Sequence, residues 1–246
     1  KYKVKRDVYV IPSGIDTTRF YKENIDKNEI INLKKDLGLK RTDFIVLYVG
    51  RIAKEKSIDF LINNFNSVLN RIPKAKMIIV GDGPDIKDLI DLTRKKGLEN
   101  KIIFTGKAPW TDVPKYYSLC DLFVTASKTE TQGLTVMEAM GASKPVVAIR
   151  DESFELMITD KKDGLFFDDE KSYVDMIYEV YKNKKLRDEI SFNARLTADK
   201  YSPYNYAKNV LKVYDKVISK DTNVVKKVVH NVKKIFTKSG GKKWKN

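Results

Sequence analysis

Two glutamates in this sequence flank a segment that could bind an anionic, sugar-like ligand. Glu130 and Glu138 are separated by seven residues that begin as a loop with a glycine and continue as an apolar helix pattern. Backbone N–H groups at such a helix start attract anions, and nearby carboxylates accept hydrogen bonds from sugar hydroxyls. A capped surface helix with two ordinary glutamates explains the same pattern. The residues that open this helix are Gln132, Gly133, Leu134 and Thr135.

A second group of candidates follows an earlier strand pattern. Gly50 permits close backbone approach, and Arg51 with Lys56 could clamp a diphosphate and neutralise charge on a leaving group. Basic residues after a strand are also commonly solvated, so this segment alone fits either interpretation.

Other chemistry-bearing residues have simpler interpretations. Residues 81–84, Gly-Asp-Gly-Pro, lack the full Gly-x-Gly-x-x-Gly spacing and predict a tight strand-to-helix turn. The pair at 168–169, Asp-Asp, has no third metal ligand nearby and predicts a surface turn. Cys120 is predicted to be a small core residue, and His230 alone cannot build a histidine-based metal site or a conventional triad.

Alternating strand and helix patterns must position these residues. Continuous apolar runs predict strands that helices cover on both faces. The predicted strands are residues 44–50, 77–81, 102–105, 122–126 and 146–149, and the predicted helices between them are 58–72, 85–96, 113–119 and 133–142. This series predicts a Rossmann-like, doubly wound parallel sheet of the α/β class. Ligands should then bind at the loops after the strands, which begin at Gly50, Gly81, Gly106 and Ser127.

The end of the chain is predicted to be helical. Segments 173–182, 186–201 and 204–218 form the expected C-terminal helices, and residues 224–236 place an apolar arc of about 140° opposite four lysines. We therefore predict a linker and domain start at 1–20, a Rossmann-like domain at 21–218, and a basic amphipathic tail at 219–246.

Charge and composition restrict the function classes. The 246 residues carry a net charge of +15, of which residues 219–246 hold +8. Such an excess favours phosphate on a nucleotide, a bilayer or nucleic acid without choosing among them. No run of about 18 apolar residues and no signal-like start occur, and the single cysteine excludes an internal disulfide; these features predict a cytoplasmic protein.

Taken together, the segments resemble the C-terminal, nucleotide-sugar donor-binding domain of GT-B glycosyltransferases of the retaining family 4 type. The resemblance covers about residues 8–218 and begins after the point where the family's N-terminal acceptor domain would end, so we expect that domain to be missing. Its motifs are residues 11–16 with Phe20, Gly50-Arg51 with Glu55-Lys56, residues 81–84, Phe104-Thr-Gly106, Tyr116-Tyr117 with Asp121, and Glu130 with Glu138.

The resemblance implies a role for each charged candidate. Arg51 and Lys56 would bind the donor diphosphate without a divalent metal or a cofactor. Glu130 would lie at the sugar as an orienting and charge-stabilising group, and Glu138 would accept hydrogen bonds from the ribose hydroxyls. Lys107 would lie in the loop that holds the base.

The resemblance also implies the reaction. Main-chain groups of residues 132–135 would contact the sugar and phosphate. The acceptor hydroxyl would attack the anomeric carbon of the sugar from the same face as the one from which the leaving phosphate departs. The leaving phosphate would help to take the hydroxyl proton, and the configuration at the anomeric carbon would be retained. This chain without its N-terminal domain is expected to bind nucleotide weakly and to transfer little.

The acceptor is suggested by three segments. The run Glu130-Thr-Gln-Gly-Leu-Thr135 resembles bacterial diacylglycerol glucosyltransferases, as do residues 151–154 and 163–167. This implies UDP-glucose as donor and diacylglycerol as acceptor, with the protein peripheral on the inner face of the cell membrane. The lysine-faced segment 224–236 fits an anionic bilayer, its apolar stripe would equally suit packing on the missing domain, and disorder of the segment is the third alternative.

Three alternatives remain. The acceptor could be a non-lipid glycan, or the fold could serve as a non-catalytic scaffold. The basic charge could also bind nucleic acid, but the tail offers only Phe236 and Trp244 as base platforms, so we expect no nucleic acid partner.

Overall fold

A computed structural model describes residues 7–220 of the chain. Six strands form one sheet, with β1 at Phe44–Val49, β2 at Ala75–Val80, β3 at Ile102–Gly106, β4 at Leu122–Thr125, β5 at Val146–Ile149 and β6 at Leu165–Phe167. All neighbouring strands are parallel, in the order β3-β2-β1-β4-β5-β6. The order reverses between β1 and β4, which opens a crevice at their carboxyl ends. The predicted doubly wound parallel sheet is confirmed.

Helices cover both faces of this sheet. In chain order the helices of residues 15–202 are α1 at Lys27–Asp36, α2 at Ile58–Asn63, α3 at Phe65–Arg71, α4 at Ile86–Lys95, α5 at Val113–Leu119, α6 at Leu134–Gly141, α7 at Glu152–Glu155, α8 at Glu170–Lys182 and α9 at Lys184–Asp199. A further helix, α10 at Pro203–Lys220, follows them in the chain. Short 3-10 turns lie at Thr18–Phe20, Lys22–Asn24 and Lys54–Lys56. Every residue of β1, β4 and β5 is buried, as expected for strands covered on both sides.

The amphipathic stretch predicted over residues 58–72 is two helices rather than one. Asn64 separates α2 from α3, and its side-chain amide donates to the carbonyl oxygen of Phe60 at 2.9 Å. Such local side-chain hydrogen bonds compete with a regular helix. The apolar pattern still points inward on both sides of the break, since Ile58 and Val68 are buried.

The described residues fall into two compact units. Residues 15–202 form the first, which contains the whole sheet, and the second contains residues 7–14 and α10. Within the second unit, a methyl group on Gly14 would lie 2.8 Å from the Cα of Pro203, and the Lys216 ammonium lies 4.8 Å from the Tyr9 ring centre. Among residues 7–220, no helix has the length and apolar character needed to cross a bilayer.

Several predictions concern the tail. The amphipathic segment 224–236, His230 and Trp244 lie outside the described residues. The boundaries given above for the linker, domain and tail stay predictions.

Candidate functional site

The loops after β1 and β2 pack directly on each other at the crevice. The amide of Ile52 donates to the carbonyl of Asp82 at 2.9 Å, and the amide of Gly50 donates to Val80 at 3.0 Å. A methyl group on Gly81 would lie only 1.8 Å from the carbonyl oxygen of Gly50, so residue 81 must be glycine for the loops to meet. The predicted strand-to-helix turn at 81–84 is confirmed, and it supports the loop that carries Arg51.

Two adjoining cavities open at these carboxyl ends. The larger, of about 650 Å³, is lined by Val49, Gly50, Arg51, Val80, Gly81, Asp82, Gly83, Lys107, Ala108 and Val113. The smaller, of about 370 Å³, is lined by Tyr48, Val49, Gly50, Arg51, Lys56, Thr125, Glu130, Thr131, Gln132, Gly133, Leu134 and Thr135. Val49, Gly50 and Arg51 belong to both, so the two cavities share a wall. The structure thus brings nearly all predicted site residues to one region, with Lys107 in the larger cavity.

Lys56 and Glu130 form an ion pair in the smaller cavity, although 74 positions separate them in the chain. The Lys56 ammonium nitrogen lies 2.5 Å from Glu130 Oε1, and the two side chains are only 18% and 21% exposed. Low solvent exposure strengthens such a pair relative to one in bulk water. An anion entering this cavity would therefore share Lys56 with Glu130 or displace that carboxylate.

Arg51 is held differently. Its guanidinium pairs with Glu55, four residues on, and remains 65% exposed. Because the pair is exposed, it contributes little to stability and can rearrange readily. Arg51 is consequently an exposed cation at the junction of the two cavities, whereas Lys56 is a largely covered one.

The start of α6 depends on a glycine. Gly133 caps the helix with a left-handed φ of +55°, and a methyl group there would lie 2.7 Å from Met157 Cε and 2.9 Å from Phe154 Cε1. Phe154 belongs to α7, whose start is capped by Asp151. The first N–H groups of any α-helix have no acceptor inside the helix, so the α6 start presents donors to the smaller cavity.

Glu138 sits deeper on α6 and lines neither cavity, unlike the other predicted site residues. The Tyr117 hydroxyl donates to Glu138 Oε2 at 2.9 Å and lies 3.1 Å from the carbonyl oxygen of Thr135. Burial raises the pKa of Glu138 above its usual value, although the Tyr117 hydrogen bond and the charge of Arg19 oppose the shift. Burial also raises the pKa of Tyr117, so this hydroxyl keeps its proton for donation.

Among the residues of the smaller cavity that sequence reasoning missed are Tyr48 and Thr125. The Tyr48 hydroxyl donates to the carbonyl oxygen of Arg51 at 3.1 Å and so holds the loop after β1. Burial, followed by the charge of Glu130, raises the pKa of Tyr48. Both residues lie within strands whose apolar pattern indicates a core, and only their places at the strand ends could have suggested a site.

Other singled-out acidic residues have structural roles. Asp169 caps α8 by accepting from the amide of Ser172 at 2.7 Å, and Asp168 pairs with Arg150 at 3.0 Å. Asp163, in the segment compared with diacylglycerol glucosyltransferases, is buried and accepts from the Thr197 hydroxyl at 2.8 Å. Within residues 7–220, no group of three or more His, Cys, Asp or Glu side chains could hold a metal ion.

Cys120 is buried as predicted. Burial raises the pKa of its thiol to about 12, so the sulfur stays protonated and packs as a small apolar group.

The fold and the crevice agree with the family comparison. The model of the family described as "Glycosyl transferases group 1" matches residues 29–197, which is well over half of the chain. The chain therefore belongs to the group 1 glycosyltransferases, and the predicted GT-B, family 4 membership is confirmed.

Two relatives are named for the same activity. The chain is 35% identical over 218 residues to alpha-monoglucosyldiacylglycerol synthase of Acholeplasma laidlawii, covering 89% of this chain and 55% of that protein. It is 31% identical over 219 residues to alpha-monoglucosyldiacylglycerol synthase of Streptococcus pneumoniae, covering 89% of this chain and 49% of the relative. The chain thus spans about half the length of these relatives.

Solved glycosyltransferase structures share the fold. Anabaena HepE in complex with UDP-glucose superposes with a TM-score of 0.75 at 22% identity, covering 85% of this chain and 57% of HepE. A glycosyltransferase from Rickettsia africae gives 0.76 at 19% identity, with the same two coverages. The match to about half of each structure agrees with a chain that corresponds to one half of a GT-B fold.

Proposed function

We propose that this chain is the donor-binding half of a retaining glycosyltransferase that transfers glucose from UDP-glucose to diacylglycerol at a membrane surface. The observation that carries the proposal is the meeting of Arg51, Lys56 and Glu130 with the start of α6 around one cavity. Two cations, a carboxylate and helix N–H groups are the set that a sugar diphosphate requires. The named activity of two relatives at 31% and 35% identity supports the same choice.

The charges suggest how the donor would be bound. The diphosphate would lie between Arg51 and Lys56, because both cations border the smaller cavity and Arg51 also borders the larger one. The sugar would then lie near Glu130 and the α6 start. The base would occupy the larger cavity near Lys107, and Glu138 would reach the ribose only by a change of rotamer or a small movement of the Tyr117 contact.

These residues can assist departure of the nucleoside diphosphate without a resident metal. As the bond between the anomeric carbon and the phosphate breaks, negative charge grows on the phosphate, and Lys56, Arg51 and the helix N–H groups stabilise it. Glu130, already paired with Lys56, would orient the sugar and stabilise positive charge on its ring. The departing phosphate would take the acceptor hydroxyl proton from the same face, which retains the anomeric configuration.

Donor binding can be tested on the chain as it stands. Calorimetry with UDP, UDP-glucose and GDP, in the presence of a chelator, should give binding of UDP that exceeds binding of GDP. The Lys56→Ala variant should bind UDP about tenfold more weakly, a loss of ~1.4 kcal/mol. Lys54→Ala is a matched control, since Lys54 is exposed two residues away and lines neither cavity.

The result distinguishes the proposal from its alternatives. If UDP binds and only Lys56→Ala weakens it, the donor site stands. Absence of binding by every nucleotide to the folded chain would contradict the donor site and favour the scaffold interpretation.

The proposed attachment to a membrane surface requires a separate measurement. We expect the chain to co-float with vesicles of anionic lipid and to lose that binding when Lys226, Lys227, Lys233 and Lys234 are replaced by glutamine, because juxtamembrane lysines each contribute about 1 kcal/mol near an anionic surface. Equal binding to neutral and anionic vesicles, or none, would contradict membrane attachment through this segment.

A further inference from the structure

Arg150 makes three ion pairs on three separate segments. It follows β5 directly, and its Nη1, Nη2 and Nε lie 3.3, 3.1 and 3.0 Å from carboxylate oxygens of Glu155, Asp160 and Asp168 respectively. The guanidinium also lies 4.8 Å from the ring centre of Phe166 on β6. One side chain therefore joins the end of α7, the turn after it and the residue that follows β6.

The segment that Arg150 holds is the support of the α6 start. Glu155 ends α7, and Phe154 beside it is 1% exposed and faces Gly133. Met157, also buried, faces the same glycine from the next turn. Because both side chains occupy the space beside Gly133 that a Cβ would fill, we expect a shift of α7 to move Gly133 and with it the loop that bears Glu130.

We infer that Arg150 is a positioning residue for the donor site, acting through α7 on Gly133 and the start of α6. The inference rests on the proposed function for its substrate, since the loop it positions is the one proposed to hold the sugar and phosphate. Arg150 itself lines neither cavity. It acts by fixing a neighbouring element, as supporting residues around binding sites do.

The geometry explains why arginine suits this position. A guanidinium offers five N–H donors in a planar fork, so its three nitrogens can each meet a different carboxylate. A lysine carries the same charge on a single nitrogen and cannot span these three acceptors together. Arg150 is 39% exposed, so each pair alone contributes little to stability, but three pairs made by one guanidinium form a network that fixes its orientation.

The experiment measures hydrogen exchange and UDP affinity in the same variants. In Arg150→Ala, amides of residues 130–137 should exchange about tenfold faster and UDP should bind about tenfold more weakly, a change of ~1.4 kcal/mol. Arg150→Lys should be intermediate. Arg71→Ala is the matched control, because Arg71 is 37% exposed, pairs with Asp175 on α8 and stacks on Tyr178, and it should leave both measurements within about twofold of the parent chain.

Two outcomes would overturn the inference. Faster exchange confined to residues 151–157, with 130–137 unchanged, would mean that the ion pairs of Arg150 do not position residues 130–137. Equal effects of Arg150→Ala and Arg71→Ala would mean a general loss of stability.

The Glu155→Gln variant and the hydrogen-exchange measurement test the inference even where Arg150→Ala or UDP binding gives no result. If Arg150→Ala does not fold, Glu155→Gln removes only the α7 carboxylate that pairs with Arg150 and should raise exchange in 130–137 in the same direction. Unchanged exchange there would also overturn the inference. If the parent chain does not bind UDP, the proposed function fails, while the exchange measurement still judges the role of Arg150.

Discussion

Replacing Gly133 with alanine is expected to damage both stability and the site. The backbone of Gly133 has φ of +55°, where a residue with a Cβ is less stable by ~1–2 kcal/mol. The new methyl group would also lie 2.9 Å from Phe154 Cε1 and 2.7 Å from Met157 Cε. Met157 can move its flexible end, but the buried Phe154 ring cannot, and overpacking of this kind typically destabilises by ~1–3 kcal/mol.

The two contributions sum to a loss of ~3 kcal/mol in the free energy of unfolding. Urea unfolding followed by circular dichroism measures it, and calorimetry on the folded variant should show UDP binding weakened by more than tenfold. The control is Gly97→Ala, since Gly97 has a similar φ of +67° but nothing lies within 4 Å of its added methyl group. Gly97→Ala should lose only ~1–2 kcal/mol and keep UDP affinity.

Comparing Gly133→Ala with Gly97→Ala separates the steric loss of stability from the conformational one. If Gly133→Ala and Gly97→Ala lose the same free energy of unfolding within ~0.5 kcal/mol, the steric support of the α6 start by α7 is refuted, because conformation alone would explain both losses.

Two further predictions concern the half-buried carboxylate of Glu138 and the buried carboxylate of Asp163. Burial raises the pKa of Glu138 in the folded chain, so the folded chain binds the proton of this carboxyl more tightly than the unfolded chain does. Protonated Glu138 therefore adds to the free energy of unfolding. This contribution is complete below the ordinary pKa of 4.5 and is lost as the pH rises through the raised pKa of the folded chain. Glu138→Gln should therefore be more stable than the parent chain at pH values above the raised pKa and as stable as the parent below pH 4.5. Urea unfolding midpoints at pH 4 and pH 8 would show this difference. A stability advantage of Glu138→Gln that grows at low pH would contradict the prediction. Asp163→Ala should lose ~2–4 kcal/mol of unfolding free energy, because the amide of Thr159, at 2.6 Å, and the Thr197 hydroxyl lose their buried acceptor; a loss below ~0.5 kcal/mol in the same assay would show that water replaces the carboxylate.

Local sequence patterns were sufficient to predict the sheet and the edge of it that carries the candidate site. Continuous apolar runs marked β1 to β5, because strands covered on both faces must be apolar throughout. The loops after Gly50, Gly81, Gly106 and Ser127 could be placed at one edge, since all strands of a parallel sheet end on the same side. Short elements such as α7 and β6 were not predicted, because four or three residues carry too little periodicity to detect.

Contacts between distant residues were decided only by tertiary structure. The sequence named Lys56 and Glu130 as site residues, but nothing in their spacing indicated that they pair with each other across the crevice between β1 and β4. The resemblance implied that Glu130 lies at the sugar and Glu138 at the ribose, whereas the structure sets Glu138 against the Tyr117 hydroxyl and outside the lining of both cavities.

The sequence by itself therefore determined the class of fold, the family and the set of residue types at the site. The tertiary structure decided which charges neutralise each other, which carboxylate is buried, and which neighbours force residue 133 to be glycine. The physical reason is the separation along the chain of the residues that interact. Strand and helix patterns arise from neighbours in the sequence, while ion pairing, burial and steric contact depend on segments that meet only after folding.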